Sequence, residues 1–377
     1  MSLLEKASDS VNSLCLKLYN KLAEGSQENV FFSPSSIGIA LAMIYAGAKG
    51  NTANEIEQLM DWNEPNTVDD MMQKLQESVL LSSGREVSLA NGLWAQQGFA
   101  ILNEYTDLLK SRYQIEMGKE DFERETESAR KEINKWVEKK TNDKMRNILA
   151  SGAVGPHTKL LLVNAVYFKG SWEVEFSKEH SMDWEFKINQ LNTCKITLMN
   201  KTAQFMYARN DDLACQVLKL MYKEIDLAMM VLLPDEVDGL PNLEKKLNVT
   251  QLKRCNAMLT KRKLQVSLPK FTTDCKFQLK KVLGELGVVS LFSSQDANLS
   301  GMTGSKDLFV TDAIHQAFVE VNEQGTEAAA ATAMIMAPTC ISIPPPHFLA
   351  DHPFVFFIQH SQSGGILFAG KIVSPEY

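Results

Sequence analysis

The chain has 377 residues, 45% of them hydrophobic, and a formal net charge of −7 at pH 7. That is enough apolar material for a large core, and length alone would allow two or three domains. The negative balance argues against nucleic acid or an anionic membrane as the main partner, and no apolar run is long enough to span a bilayer.

The first residues, MSLLEKASDSVNSLCLKLYNKL, carry charges among their apolar positions and read as an amphipathic helix rather than a cleaved leader. Asn29 to Ala48 (NVFFSPSSIGIALAMIYAGA) reads as a short strand, a cap at Ser33, Pro34 in the first turn, then a helix apolar all round. Such a helix must be buried. Thr67 to Leu81 reads as a helix, Ser88 to Ala95 (SLANGLWA) as a strand, and Glu125 to Lys140 as an amphipathic helix. Leu160 to Phe168 (LLLVNAVYF) is a strand buried on both faces, with Asn164 a polar group that needs partners inside it. Leu227 to Pro234 and Leu264 to Lys270 read as strands, and Cys275 to Leu286 as a helix stopped by Gly287. There is no internal repeat and no low-complexity linker, so the chain reads as one α+β domain, residues 1–377.

No G-x-S-x-G, H-E-x-x-H, P-loop or G-x-G-x-x-G motif is present. The six histidines suit no metal geometry, and His347 and His352, five apart, share neither a helix face nor a strand face. No catalytic residue, metal site or cofactor is expected. The six cysteines (Cys15, Cys194, Cys215, Cys255, Cys275 and Cys340) form no C-x-x-C pair and read as free thiols in a reducing compartment. The N-x-S/T triplets at Asn200, Asn248 and Asn298 are then expected to stay unmodified.

Near the end, His315 to Asn322 (HQAFVEVN) alternates like a strand, followed by Gly325, small side chains from Thr326 to Ala333, Met334-Ile335-Met336, and the prolines Pro344 to Pro346. Phe354 to Ile358 and Ile366 to Ala369 then resume core-strand composition. The small-residue block reads two ways. Alanine and a Thr326 cap favour a helix ended by Pro338. In a strand, Thr326, Ala328, Ala330, Thr332, Met334 and Met336 would instead share one face and Glu327 would lie on the other.

NEQGTEAAAATA, ADHPFVFFIQH and GGILFAGKIVSP resemble the reactive loop and last strands of a serpin, and NVFFSPSSIGIALAMIYAGAKGNTANEI resembles the central helix of that family. The likeness runs from about Asn12 to Pro375. It implies about nine helices around three β-sheets, with an exposed reactive-centre loop at about 323–347. It also implies a hinge of Glu323, Gly325, Thr326, Glu327, Ala328, Ala329, Ala330 and Ala331. A sheet-opening region would comprise Ser33, Ser36, Asn164, Trp172 and His315, with Asn164 and His315 bonded across the opening.

The implied activity is suicide inhibition of a serine protease by loop cleavage, acyl-enzyme trapping and insertion of the loop into the central sheet. Family spacing from Glu323 puts the reactive bond at Thr339–Cys340, within a residue or so. No Lys or Arg lies between Glu327 and His347, which disfavours trypsin-like targets. Thr339 suits an elastase-like pocket, and Met336 a chymotrypsin-like one. Cysteine proteases are a second partner class, and a non-inhibitory serpin is the alternative reading. The helix that binds heparin in some serpins is not basic here, so no glycosaminoglycan cofactor is expected. The resemblance is to the ovalbumin-type branch, with GTEAAAATA similar to its elastase-inhibiting members. A monomer is implied, located in the cytoplasm or released from it without a signal peptide.

Overall fold

Ser2 starts the first helix. Its hydroxyl accepts from the Glu5 N–H at 3.2 Å while the Glu5 carboxylate accepts from the Ser2 N–H at 2.7 Å, a reciprocal capping box for α1 (Leu3–Ala23). Ala7, Val11, Leu14 and Leu18 recur at helical spacing and are fully buried. The computed structural model describes residues 1–83, 87–323 and 345–377, without the side chains of 80–83. After the short strand β1 (Val30–Phe32), the Ser33 hydroxyl accepts from the Ser36 N–H at 3.2 Å and starts α2 (Pro34–Gly47). Residues Ile37 to Ile44 of this helix are all buried, as its composition requires. Helices α3 (Gly50–Met60) and α4 (Val68–Ser83) follow.

The remaining strands are β2 (Val87–Gln96), β3 (Gly118–Glu120), β4 (Leu160–Phe168), β5 (Met182–Lys187), β6 (Thr193–Asn210) and β7 (Cys215–Met221). Then come β8 (Leu227–Pro234), β9 (Thr260–Pro269), β10 (Phe271–Gln278), β11 (Val310–Val321), β12 (His347–Leu349), β13 (Phe354–His360) and β14 (Ile366–Ile372). A five-stranded sheet has the order β10-β11-β4-β2-β3, and a nine-stranded one the order β1-β14-β13-β8-β7-β6-β9-β12 with β5 against β6. The second and third sheets implied by the sequence are thus joined among the described residues. The cause is the 18-residue β6, which pairs with β5, β7 and β9 along different parts of its length.

Between the two sheets lies an apolar layer that includes Phe168, Phe271, Phe356 and Phe368. A second core packs α1, α2 and neighbouring helices against the other side of the nine-stranded sheet and one end of the five-stranded one. A third, smaller core lies under the helix Thr126–Lys140, with Ile133 and Val137 against β2 and β4.

One boundary differs from the sequence reading. Cys275 to Gln278 continues β10, and the helix begins only at Leu279 and ends at Glu285, with Gly287 at φ +100° beyond it. The cause is tertiary: Phe271 to Gln278 pairs residue by residue with β11 along the sheet edge, which overrides local helix preference.

Candidate functional site

At the centre of the five-stranded sheet, β4 and β11 lie side by side in parallel, flanked by antiparallel partners: β2 beside β4 and β10 beside β11. Their register sets His315 directly across from Asn164. Side chains alternate in a strand, so both residues aim at the same face, and that face rests on the first turn of α2.

There the polar groups interlock. Ser33 N–H donates to His315 Nε2 at 3.1 Å, so that nitrogen must carry a lone pair. The proton of the neutral ring is then on Nδ1, which donates to Asn164 Oδ1. Asn164 Nδ2 donates to Ser36 O at 3.0 Å, to Ser36 Oγ at 2.7 Å and to Asn91 Oδ1 at 2.6 Å. Ser36 Oγ donates in turn to Asn91 Oδ1 at 2.8 Å. Ser33 Oγ donates to Leu367 O at 2.7 Å, which ties the network to β14. His315 and Asn164 are fully buried, and burial pushes the imidazole down to about 3 because a cation there would lose its water.

Four of the five residues named for the sheet-opening region, Ser33, Ser36, Asn164 and His315, therefore meet in one cluster. The sequence reading missed its fifth member, Asn91. The available signal was a second asparagine inside an apolar strand, in SLANGLWA, the same anomaly that singled out Asn164.

Trp172 lies apart from this cluster, just beyond the end of β4. Its ring stacks on Tyr222 at 4.6 Å between centroids, and its Nε1–H donates to Asn322 O at 2.9 Å. Asn322 and Glu323 are the residues where the chain leaves β11. Glu323 is only 4% exposed. Its carboxylate accepts from Ser181 Oγ at 2.9 Å and faces Lys270 Nζ at 3.5 Å, while its carbonyl accepts from Phe176 N–H at 3.1 Å. Burial alone would raise this carboxyl, but its own backbone amide, Ser181 and Lys270 outweigh that and hold it below the ordinary value. Lys270 also lies over the ring of Tyr377, 3.8 Å from its centroid.

The other hinge residues, Gly325, Thr326, Glu327, Ala328, Ala329, Ala330 and Ala331, and the bond Thr339–Cys340 lie outside the described residues. The description resumes at Pro345, and β12 joins the edge of the nine-stranded sheet parallel to β9. There Gln265 N–H donates to Pro346 O at 3.0 Å, and Ser267 Oγ lies 2.7 Å from His347 Nε2. The described residues on either side of 324–344 thus stand at the end of β11, next to the edge strand β10 of one sheet, and at β12, the edge strand of the other. The five described cysteines are free thiols, three of them buried. No described helix is long and apolar enough to cross a membrane.

Comparison with known proteins accords with this geometry. Residues 9–375 match the family model described as Serpin (serine protease inhibitor). Leukocyte elastase inhibitor A of Rattus norvegicus is 39% identical, with 99% of this chain and 100% of the relative covered. Leukocyte elastase inhibitor of Homo sapiens is 38% identical over the same shares. Among solved structures, uncleaved ovalbumin superposes with a TM-score of 0.88 at 30% identity, covering 100% of both chains. Maspin superposes at 0.91 with 28% identity and the same coverage.

Proposed function

Because this chain belongs to the serpin family, we propose that it inhibits serine proteases by serving as a substrate they can cleave but not release. The protease serine attacks the carbonyl carbon of Thr339. The peptide bond to Cys340 breaks, the Cys340 nitrogen leaves as an amine, and Thr339 remains esterified to the protease. The chain itself contributes no catalytic group and is consumed, so it is an inhibitor rather than an enzyme.

The observation that carries the reading is the parallel β4–β11 pair whose downstream end runs straight into the hinge sequence. A segment that turns back after Glu323 and enters between those strands runs antiparallel to both. One parallel ladder is then exchanged for two antiparallel ones, which are slightly stronger per residue. With β4 nine residues long, the net gain of one ladder at about 1 kcal/mol per hydrogen bond is on the order of 5–10 kcal/mol. Thr326, Ala328 and Ala330 would share the inward face, where small side chains displace nothing. Insertion carries the esterified protease along and distorts its active site before water can release it.

The absence of Lys and Arg between Glu327 and His347, together with Thr339 at the bait position, supports an elastase-like target. Met336 offers a chymotrypsin-like enzyme a second bond. Such a protein would act in the cytoplasm, where free thiols persist, or outside the cell after release.

The test is incubation with neutrophil or pancreatic elastase, followed by denaturing gels and mass spectrometry. A complex that survives SDS and a released peptide beginning at Cys340 are expected. A peptide beginning at Ala337 or Ile341 would move the bond and keep the mechanism. Clean cleavage without a complex, and without a gain in heat stability of the cleaved protein, would overturn the inhibitory reading in favour of a non-inhibitory serpin.

A further inference from the structure

Strand β9 has two neighbours in its sheet, and they do not cover it equally. On one side β6 pairs with its whole length, from Tyr207–Thr260 to Leu198–Pro269. On the other, β12 pairs only with Gln265, Val266 and Ser267. The edge from Thr260 to Lys263 therefore has no strand against it among the described residues, and all four residues are exposed. Gln265 N–H points to the β12 side, where it donates to Pro346 O at 3.0 Å. Backbone groups alternate sides along a strand, so Lys261 and Lys263 aim their N–H and C=O at the same open edge.

The chain cannot close this edge by extending β12 backwards. Leu349 lies opposite Ser267, and the Ser267 carbonyl accepts from the next N–H, that of Ala350, at 2.9 Å. Carried back in the same parallel register, the donors to the Lys263 and Lys261 carbonyls would be Pro346 and Pro344. Proline has no N–H to give, so that register leaves both carbonyls unmatched.

The side chains on the open edge are three consecutive cations, Lys261, Arg262 and Lys263, none with an ion-pair partner among the described residues. Their basic neighbours in the sequence differ: Lys253 pairs with Asp9, Arg254 with Asp212 and Lys270 with Glu323. Lysines along an edge keep neutral strands away. The same cations draw in a strand that brings carboxylates, whose N–H groups then reach the waiting carbonyls. Side chains alternate, so Lys261 and Lys263 project from one face and Arg262 from the other. A run of adjacent acidic residues meets all three.

We propose that the Thr260–Lys263 edge of β9 docks an extended acidic segment of a partner protein, added to the sheet as a strand in line with β12. The site uses neither the hinge nor the bond Thr339–Cys340, so it does not rest on the inhibitory reading above.

The probe is a fluorescein-labelled peptide, Thr-Val-Glu-Glu-Glu-Val-Thr with blocked ends, titrated by fluorescence anisotropy against the full chain. Beside it runs the same peptide N-methylated at its three glutamates, which keeps every charge and removes the N–H groups. Saturable one-site binding of the first is expected, with the second weaker by about tenfold or more. Arg262→Glu and Lys263→Glu should each weaken the unmethylated peptide about tenfold. Both side chains are exposed, so neither change disturbs the core. Equal binding of the methylated peptide would mean attraction of any polyanion, a sulfated polysaccharide included, and would overturn strand addition. Absence of saturable binding, or unchanged affinity in both variants, would overturn the site. Failure of the same preparation to trap elastase would count against the inhibitory reading and leave the titration standing.

Discussion

His315 makes the native sheet sensitive to acid in a way that can be isolated. The imidazole is neutral in the folded chain, with burial holding it at about 3, whereas in the unfolded chain it titrates near 6.5. Below 6.5 the unfolded state therefore takes up a proton that the folded state refuses, and stability falls with pH by about 1.4 kcal/mol per unit. Between pH 6.5 and 4.5 this single residue should remove about 3 kcal/mol of folding free energy. The measurement is urea unfolding at half-unit pH steps for the wild-type chain and for His315→Gln, which cannot titrate. His347 and His360 are also held low by burial, but they are common to both proteins and cancel in the difference. The variant should start less stable at pH 7.5, through loss of its contacts to Ser33 and Asn164, and the two curves should converge as the pH falls. Parallel curves across that range would mean that His315 is solvated or protonated in the native sheet, and the argument for its tautomer would collapse.

Other substitutions probe the same region. Asn164→Ala leaves the hydroxyl of Ser36, Asn91 Oδ1 and the His315 Nδ1–H short of partners, and should cost about 3–5 kcal/mol, read as a lowered unfolding midpoint in urea. Glu323→Gln removes the charge that Ser181 and Lys270 stabilise and should cost about 1–2 kcal/mol at neutral pH. Because that carboxyl is held low in the fold, its contribution is full above the ordinary carboxylate range and fades as pH falls through the depressed value. The difference between wild-type and variant unfolding curves should therefore shrink on acidification. Thr326→Arg puts a charge on the face that would enter the sheet, and elastase should then cleave the chain without forming an SDS-stable complex. Retention of a full-yield complex by this variant would count against insertion.

Much of the framework is legible in the residues because local and global signals agree. Ser33-Pro34 followed by an unbroken apolar run specifies a capped, buried helix, and that is α2. LLLVNAVYF specifies a doubly buried strand, and β4 has those ends. The β10 boundary was hidden because FTTDCKFQ is a strand only by virtue of its pairing with β11, a contact remote in sequence. The polar cluster was half visible. An asparagine in an apolar strand announces a need for partners without naming them, and only the register of β4 against β2 shows that Asn91 answers Asn164.

The placement of β1 against β14 has a bearing on how the chain is made. Val30 pairs with Lys371, and the cap of α2 is fastened to Leu367, so the earliest strand waits for the last one. At about 5–20 residues per second, a ribosome that has delivered β1 needs tens of seconds more before its partner emerges. Through that interval the apolar faces of α1 and α2 have no complete surface to cover. Loss of even the final strand would leave the first one unmatched, so the nascent protein is exposed to chaperones and proteases until synthesis is almost finished.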